Sequence, residues 1–368
     1  MPYLLEAEHI VKRYKNHLAL DDVSIQIQPN SVFGLLGPNG AGKSTLIKII
    51  NKILLADSGT VLLNGQEMTY EDIRHIGYLP EERGLYKKMK VGDQAIYLAR
   101  LHGLSRQEAQ QELKHWFEKF DIMPWWHRKV EELSKGMQQK VQFICTVIHR
   151  PKLLIFDEPF SGFDPVNAEL LKREILELRD NGCAVIFSTH NMQSVEEICD
   201  DIALINQSKV VLRGDVTEVK RSHFDGVASL LIAGEGYRPD WVDPLTEQQI
   251  ELLEVKREGH DMRVRLKDPQ QRDVRALAGL VPTDLHLLEV AQEIPSMQEI
   301  FIRTTTAQAQ PATTTLSPAH SYEKEITLPA LHTYRARIYG ACQEEVLHRH
   351  HPPRPHPHCG YLLYRYLR

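Results

Sequence analysis

The sequence predicts an α/β fold, and three observations support this prediction. From residue 1 to about residue 222, strand-like and helix-like segments alternate with short turns. Three strand-like segments are near-continuous apolar runs, as expected of parallel strands that are covered on both faces; they are residues 153–156, 184–187 and 202–205. A glycine-rich loop follows the strand-like residues 32–36 and leads into a helix-like segment, which is the order of a βα unit.

The predicted elements of the first domain follow in chain order. Strands are expected at residues 4–11, 23–27, 32–36 and 60–63. From about residue 88 to residue 150 helical periodicity dominates, with helices expected at residues 95–101, 105–120 and 134–148. We interpret this stretch as a helical subdomain that is inserted into an α/β domain of residues 1–222.

A second, smaller domain is predicted at residues 227–303. Short strands are expected at residues 227–232, 250–255, 262–266 and 284–290, and helices at about 270–280 and at 296–302. Strands and helices mixed in this way indicate a small α+β domain.

Residues 304–368 differ in composition from both domains. The segment is rich first in Thr, Ala, Gln and Pro and then in His, Pro and Arg, with little periodic apolar signal, which predicts disorder. A frameshift is the other interpretation. Codons for residues 337–351 can be chosen so that a frame starting one base later encodes a basic stretch and then an apolar run, like the start of a permease's first membrane helix. The histidines and the cysteine of residues 348–359 match no defined zinc-site spacing.

Composition and charge restrict the function classes. The 368 residues carry a formal net charge of −5 with both signs interspersed, so we expect no nucleic-acid partner. The five cysteines show no CxxC spacing, which fits free thiols in a reducing compartment. The N-terminus lacks the features of a signal peptide, and no apolar run reaches the roughly eighteen residues of a membrane span. We therefore expect a soluble protein whose membrane role would come through a partner.

A complete phosphate-binding loop of the pattern G-x-x-x-x-G-K-[ST] is formed by Gly37, Pro38, Asn39, Gly40, Ala41, Gly42, Lys43, Ser44 and Thr45. Glycines let the backbone curl so that successive N–H groups point at phosphate oxygens, and the helix that follows adds its positive N-terminal end. We expect Lys43 to reach the β- and γ-phosphates and the Ser44 hydroxyl to bind Mg²⁺. The loop therefore predicts binding of a nucleoside triphosphate.

Two further segments carry chemistry. The apolar residues 153–156 end in Asp157, which we expect to hold Mg²⁺, and Glu158, which we expect to polarise the attacking water as a general base. The alternative is an acidic strand end that faces solvent. Upstream, Ser134 and Gly136 form a turn that opens a helix, and a serine hydroxyl, a glycine N–H and a helix N-terminus together make an anion site.

The order of these parts (a phosphate loop, a Leu-Ser-Lys-Gly-Met turn at residues 133–137, and an Asp-Glu pair at a strand end) resembles the nucleotide-binding subunit of an ATP-binding-cassette (ABC) transporter. The family's signature reads Leu-Ser-Gly-Gly-Gln, so Lys135 and Met137 replace its third and fifth residues. The resemblance implies an ATPase that binds ATP and Mg²⁺ and forms a head-to-tail dimer with a second nucleotide-binding subunit, which we expect to be an identical chain. In that dimer Ser134 and Gly136 would contact the γ-phosphate of the other subunit's ATP.

Further positions match family motifs. Tyr14 matches the aromatic that stacks on adenine, Asp164 the D-loop aspartate that crosses the dimer interface, and His190 the switch histidine that touches the γ-phosphate. Read alone, His190 would be a structural strand-end residue. Glu81 occupies a position where the family usually has glutamine, and its extra negative charge should make ATP binding depend more on the metal and on Lys43. The resemblance thus implies the catalytic residues Lys43, Glu158 and His190 and the metal ligands Ser44, Glu81 and Asp157.

Three segments narrow the resemblance to one branch of the family. Residues 80–86, 133–140 and 295–301 resemble parts of the sodium-extrusion and drug-export ATPases that serve ABC-2-type permeases. This implies a cytoplasmic subunit that dimerises on ATP, lies on the inner face of the cell membrane and drives export through a separate permease. The alternative is a soluble ABC ATPase that acts without a permease. Such proteins usually carry two cassettes or a long coiled coil, whereas this chain has one uninterrupted cassette.

Overall fold

The computed structural model describes residues 2–82, 84–161, 163–235 and 237–307. Within these residues, three β-sheets and a set of α-helices form a mixed α/β fold, which confirms the predicted fold class. Gly162 and residues 308–368, which make up most of the segment predicted to be disordered or frameshifted, lie outside the described residues. In the described part of the chain, no helix combines the length and the apolar character needed to cross a membrane.

The strands lie in two groups along the chain, before and after residue 222. The first group contains β1 (Leu5–Tyr14), β2 (His17–Ile27), β3 (Val32–Leu36), β4 (Ser58–Leu63), β5 (Gln66–Glu67), β6 (Ile76–Leu79), β7 (Leu153–Asp157), β8 (Ala184–Thr189), β9 (Asp201–Asn206) and β10 (Lys209–Asp215). The second contains β11 (Val227–Ile232), β12 (Glu251–Glu258), β13 (Asp261–Lys267) and β14 (Leu287–Gln292).

The α-helices follow the same division. Before residue 223 they are α1 (Lys43–Ile50), α2 (Val91–Leu101), α3 (Arg106–Lys119), α4 (Lys135–Val147), α5 (Pro165–Asp180), α6 (Met192–Ile198) and α7 (Val216–Ser222). After it they are α8 (Asp243–Glu247), α9 (Val274–Ala278) and α10 (Met297–Ala307).

A six-stranded sheet of order β10-β9-β3-β8-β7-β6 forms the centre of the first part. Strands β3, β6, β7, β8 and β9 run parallel, and β10 is an antiparallel edge strand. Because these strands are parallel, their carboxyl ends meet at one edge of the sheet, where open α/β sheets bind ligands. Leu36, Leu79, Asp157 and Thr189 are the last residues of four of them. An antiparallel sheet of order β2-β1-β4-β5 accompanies this sheet.

The core of this part lies between the six-stranded sheet and the helices around it. Its fully buried aromatic side chains include Phe117, Phe143, Phe156 and Phe187. The Phe143 and Phe156 ring centroids are 5.7 Å apart, so α4 packs directly on β7. Burial of each such side chain stabilises the fold by roughly 1.5–3 kcal/mol. The packing fixes the strand ends that carry the polar residues of the site.

The last sheet is antiparallel, with the order β12-β13-β11-β14. It has a buried cluster of its own, which includes Ala228, Leu230, Ile232, Val264 and Leu266. Helix α10 packs instead on α6, and its Met297 and Ile300 join the core of the α/β part. The Met297 N–H also donates to a Glu196 carboxylate oxygen over 2.5 Å. The chain therefore returns to the first core at its last described helix.

Several elements differ in length from the predictions, among them α9 and α10. Helix α9 is shorter than the predicted helix at residues 270–280, because the buried Asp268 carboxylate accepts hydrogen bonds from the N–H groups of Gln270 and Arg272 at 3.0 and 2.8 Å. These bonds fix a turn, and α9 begins only after Asp273, which caps it. Helix α10 extends to Ala307, four residues past the predicted end of the second domain.

Candidate nucleotide-binding site

The phosphate loop joins the end of β3 to the start of α1, and its glycines are required by the backbone. Gly37 and Gly42 have φ angles of 148° and 116°. A Cβ atom on Gly37 would lie 2.2 Å from the Ile205 carbonyl oxygen, and one on Gly42 would lie 2.4 Å from the Ala19 carbonyl oxygen. No side chain caps the N-terminus of α1. The free N–H groups of this helix start can therefore meet an anion.

Lys43 is the first residue of α1 and is buried. Its ammonium donates to the carbonyl oxygens of Gly37 at 2.7 Å and Pro38 at 3.2 Å, so the side chain lies along the loop. Burial lowers the pKa of Lys43, while the charges of Glu158, Asp157 and Glu81 act in the opposite direction. The ammonium thus lies where it can meet the phosphates that the loop would bind.

Asp157 ends β7 with a buried carboxylate. Its Oδ1 accepts hydrogen bonds from the Ser188 hydroxyl at 2.5 Å and, at 3.5 Å, from the Ser44 hydroxyl of α1. Three elements thus bring oxygen atoms together beside the phosphate loop. A cluster of hydroxyl and carboxylate oxygens is the donor set that a hard divalent cation prefers.

Glu158 follows with a left-handed backbone, at a φ of 51°. Its N–H donates to the Ser188 carbonyl oxygen at 3.1 Å, which joins the turn to β8. The side chain is mostly buried, and its Oε1 lies 2.8 Å from Nδ1 of His190. The Thr189 hydroxyl lies 3.5 Å from Oε2. A carboxylate that is held in this way, beside a phosphate site, has the position that a general base needs.

Glu81 lies two residues after the end of β6. Together with Asp157 and Glu158 it lines a cavity of about 150 Å³, and its negative charge partly offsets the lowering of the Lys43 pKa by burial. The structure therefore brings the predicted glutamate into the electrostatic field of the phosphate-loop lysine.

Comparison with known proteins identifies the family. The model of the ABC transporter family matches residues 20–161. The uncharacterized ABC transporter ATP-binding protein YhaQ of Bacillus subtilis is 48% identical over 219 residues, which are 60% of this chain and 74% of YhaQ. The chain belongs to the ABC transporter ATP-binding protein family.

Other relatives of this ABC protein extend the match beyond the nucleotide-binding part. The uncharacterized ABC transporter ATP-binding protein BpOF4_11395 of Alkalihalophilus pseudofirmus is 40% identical over 268 residues, 73% of this chain and 97% of its own. The linearmycin resistance ATP-binding protein LnrL of Bacillus subtilis is 28% identical over 314 residues, 82% of this chain and 98% of LnrL. A solved structure of the ATP-binding subunit of an ABC transporter is 30% identical, with a TM-score of 0.56, and the match covers 60% of this chain and 92% of that one.

These findings confirm the predicted family, ATP binding and ATPase activity. The chain is the ATP-binding subunit of an ABC transporter, and ATP hydrolysis in this family is coupled to transport.

The remaining predicted residues of this ABC subunit lie at the starts of α4 and α5 and at the end of β1. Ser134 caps α4 and accepts a hydrogen bond from the Met137 N–H at 3.3 Å. Asp164 caps α5, and its pKa is lowered by a hydrogen bond from the Asn167 side chain and by bonds from the N–H groups of Asn167 and Val166, both at 3.1 Å. Tyr14 ends β1 with an exposed ring, 5.8 Å from the Lys12 ammonium. Their predicted roles concern adenine and a second subunit and stay predictions.

Ser188 is a residue of the site that was not predicted. Ser188 is fully buried in β8 and joins Asp157 to the Glu158 turn, because its hydroxyl donates to the Asp157 carboxylate and lies 3.3 Å from the Glu158 N–H. The parallel pairing of Asp157 with Ser188 creates this contact. A signal was present in the sequence, since Ser188 is a polar residue directly after an apolar run.

Proposed function

We propose that this chain is the ATP-hydrolysing subunit of an ABC-2-type export system, which dimerises on ATP and drives a separate membrane permease for sodium or a drug. The observation that carries the hydrolytic part is the Glu158 carboxylate, 2.8 Å from His190 and next to the Asp157 cluster. The export part is supported by the branch-like segments at residues 80–86 and 133–140 and by LnrL, whose name records linearmycin resistance.

We propose that Ser44 and Asp157 hold Mg²⁺, with Glu81 nearby. The Ser44 hydroxyl and Asp157 Oδ1 are 3.5 Å apart, and Glu81 lines the cavity beside them. Among the described residues, no group of three His, Cys, Asp or Glu side chains could hold a metal by itself. In the proposed site, nucleotide phosphates and water would supply the remaining ligands of the metal. The bound metal would neutralise charge on the phosphates.

In the proposed hydrolysis, Glu158 takes the proton of the water that attacks the γ-phosphate, and His190 holds the carboxylate in place. Lys43 would turn from the loop carbonyls to the β- and γ-phosphates and stabilise charge that develops on them. Glu158 is 13% exposed, so its carboxylate meets few competing waters.

The proposed dimer places ATP between the phosphate loop of one chain and α4 of its partner. The N-terminus of α4 is available for this because a Cβ atom on Gly136 would meet nothing within 4 Å. Ser134 and Gly136 would then face the partner's γ-phosphate, Asp164 would cross the interface, and Tyr14 would stack on adenine.

The proposed domain division is the one that the sequence predicts, with α10 packing back on α6 of the first domain. Residues 1–222 would form the ATPase domain with its helical subdomain at about 88–150, and residues 227–303 a small accessory domain. The subunit would lie on the inner face of the cell membrane through its permease.

The test of hydrolysis is Glu158→Gln, which keeps the shape but removes the base. We expect this variant to form a stable dimer in ATP and Mg²⁺, measured by light scattering after gel filtration, and to lose ATPase activity by about 100-fold or more. Glu118→Gln is the matched control, because Glu118 lies exposed on α3 with only a 3.9 Å ion pair to Lys114. Unchanged hydrolysis in Glu158→Gln would refute the proposed base.

The test of the export system is purification of the tagged chain from membranes of its own cells. We expect a multi-span permease to co-purify, and sodium or drug efflux to stop in cells that carry only Glu158→Gln. Recovery with ribosomes or DNA, and without a membrane protein, would favour the soluble alternative.

A further inference from the structure

Gln139 links α4 to the loop that follows the general base. It lies five residues after the cap residue Ser134, and its side-chain amide donates a hydrogen bond to the Ser161 carbonyl oxygen. The Ser161 N–H in turn donates to the Glu158 carbonyl oxygen at 3.2 Å. Two hydrogen bonds therefore connect α4 to the backbone of Glu158.

The Glu158 turn needs such support. A left-handed backbone costs a non-glycine residue about 1–2 kcal/mol, so Glu158 keeps its φ of 51° only while its surroundings hold it. On one side it is joined to β8 through Ser188. On the other side it is joined to α4 through Ser161 and Gln139.

A second glutamine of α4 reaches the other side of the site. The Gln142 amide lies 3.5 Å from the carbonyl oxygen of Pro80, the residue before Glu81. Gln139 and Gln142 both line the cavity of about 150 Å³ that Glu81 and Glu158 also border. Helix α4 thus contacts the loops that carry both carboxylates.

We propose that Gln139 is a positioning residue that couples the two ATP sites of the dimer. When the N-terminus of α4 engages the ATP of the partner, Gln139 carries that engagement to Ser161 and sets the orientation of Glu158 in its own site. This inference rests on the proposed function, since it requires the ATP-bound dimer. It adds that the orientation of the general base depends on the helix that contacts the ATP of the partner.

The test is Gln139→Met, which keeps the length of the side chain and removes the donor. We expect kcat for ATP to fall roughly tenfold while KM stays within about twofold, because the misplaced group acts in the transition state and not in ATP binding. The Hill coefficient for ATP should fall to about 1. Gln139→Glu, which also removes the donor, should behave alike, and thermal unfolding verifies that both variants are folded. Gln111→Met, on the exposed face of α3, is the control.

The outcomes separate this inference from the proposed function. If Glu158→Gln does not dimerise in ATP, the proposed function fails and this inference fails with it. If Glu158→Gln dimerises but Gln139→Met keeps the kcat and the Hill coefficient of the unchanged protein, only the role of Gln139 is overturned. It is also overturned if Gln139→Met raises KM alone, or if the double variant Glu158→Gln/Gln139→Met no longer dimerises.

Discussion

Ser188→Ala is the sharpest test of how the site is held together. The Ser188 side chain is fully buried, and its hydroxyl donates to the Asp157 carboxylate over 2.5 Å. Alanine fits the same space and removes only the hydroxyl. The Glu158 N–H keeps its bond to the Ser188 backbone carbonyl at 3.1 Å. The substitution therefore removes the hydrogen bond to the buried carboxylate together with the longer 3.3 Å contact between the hydroxyl and the Glu158 N–H.

The magnitude follows from the charge of the acceptor. A hydrogen bond to a charged group stabilises a fold by about 1.5–3 kcal/mol, against roughly 0.5–1.5 kcal/mol for a neutral bond. Asp157 would retain only the 3.5 Å contact to Ser44 in this cluster. We expect Ser188→Ala to lower the free energy of unfolding by about 2 kcal/mol. Because Asp157 is also a proposed Mg²⁺ ligand, the Mg²⁺ concentration for half-maximal ATPase activity should rise.

The assay is urea unfolding, in which the midpoint is compared at an unchanged dependence of the unfolding free energy on urea concentration. It is combined with a Mg²⁺ titration of ATPase activity. Ser31→Ala is the control, because the Ser31 hydroxyl donates a 2.8 Å hydrogen bond to the neutral Gln28 carbonyl oxygen and the side chain is also buried. The control should cost about half as much and leave the Mg²⁺ dependence unchanged. Equal losses in both variants, or a loss in Ser188→Ala below about 0.5 kcal/mol, would refute the assigned role of the Asp157 contact.

Two further predictions concern stability. Desolvation of its ring lowers the pKa of the half-buried His149 from 6.5 to about 3, so between these values the unfolded chain binds a proton that the folded chain does not. Stability should therefore fall as pH falls from 6.5. His149→Phe can keep the 3.8 Å stacking on His102 and should make the free energy of unfolding depend less on pH, as measured by urea titrations at several pH values. An unchanged dependence of stability on pH contradicts the assignment. Lys119→Met leaves the buried Glu174 without its 2.6 Å ion pair and should lower the free energy of unfolding by about 2–3 kcal/mol in the same assay. The double variant Lys119→Met/Glu174→Met should recover part of this loss. A loss below about 0.5 kcal/mol in Lys119→Met would show that the fold does not need the pair.

The fold was largely predictable because its signals are local. The apolar run at residues 32–36 is β3 without any shift, and the run at residues 227–232 is β11. Strand β10 was not predicted. Its apolar residues Val210, Val211 and Leu212 are consecutive and show no apolar–polar alternation, and its pairing with β9 depends on the tertiary structure. Helix α9 was predicted too long, since periodicity does not reveal that the Asp268 carboxylate takes the backbone N–H groups of the turn before it.

Sequence motifs predicted most residues of the site but not the hydrogen bonds that join them. Asp157 and Glu158 follow an apolar run, and His190 follows another, so each was visible along the chain. Their mutual geometry depends on the parallel register of β7 and β8, in which Asp157 pairs with Ser188. Register is set by pairing between strands whose partners Asp157 and Ser188 lie 31 positions apart, and a single sequence does not display it.

The orientation of Glu158 is therefore a property of the assembled domain. Its left-handed backbone is unfavourable in isolation, so the local sequence cannot hold it. It is fixed by β8 through Ser188, by its own turn through Ser161, and by α4 through Gln139. Of these three, only α4 begins at the residues that are proposed to contact the nucleotide of a second chain. If α4 shifts when that nucleotide binds, Ser161 and the backbone of Glu158 must respond before Ser188 does, because the strands beneath them are buried in the core. On the proposed mechanism, a base placed on this turn would act only once the proposed dimer has closed.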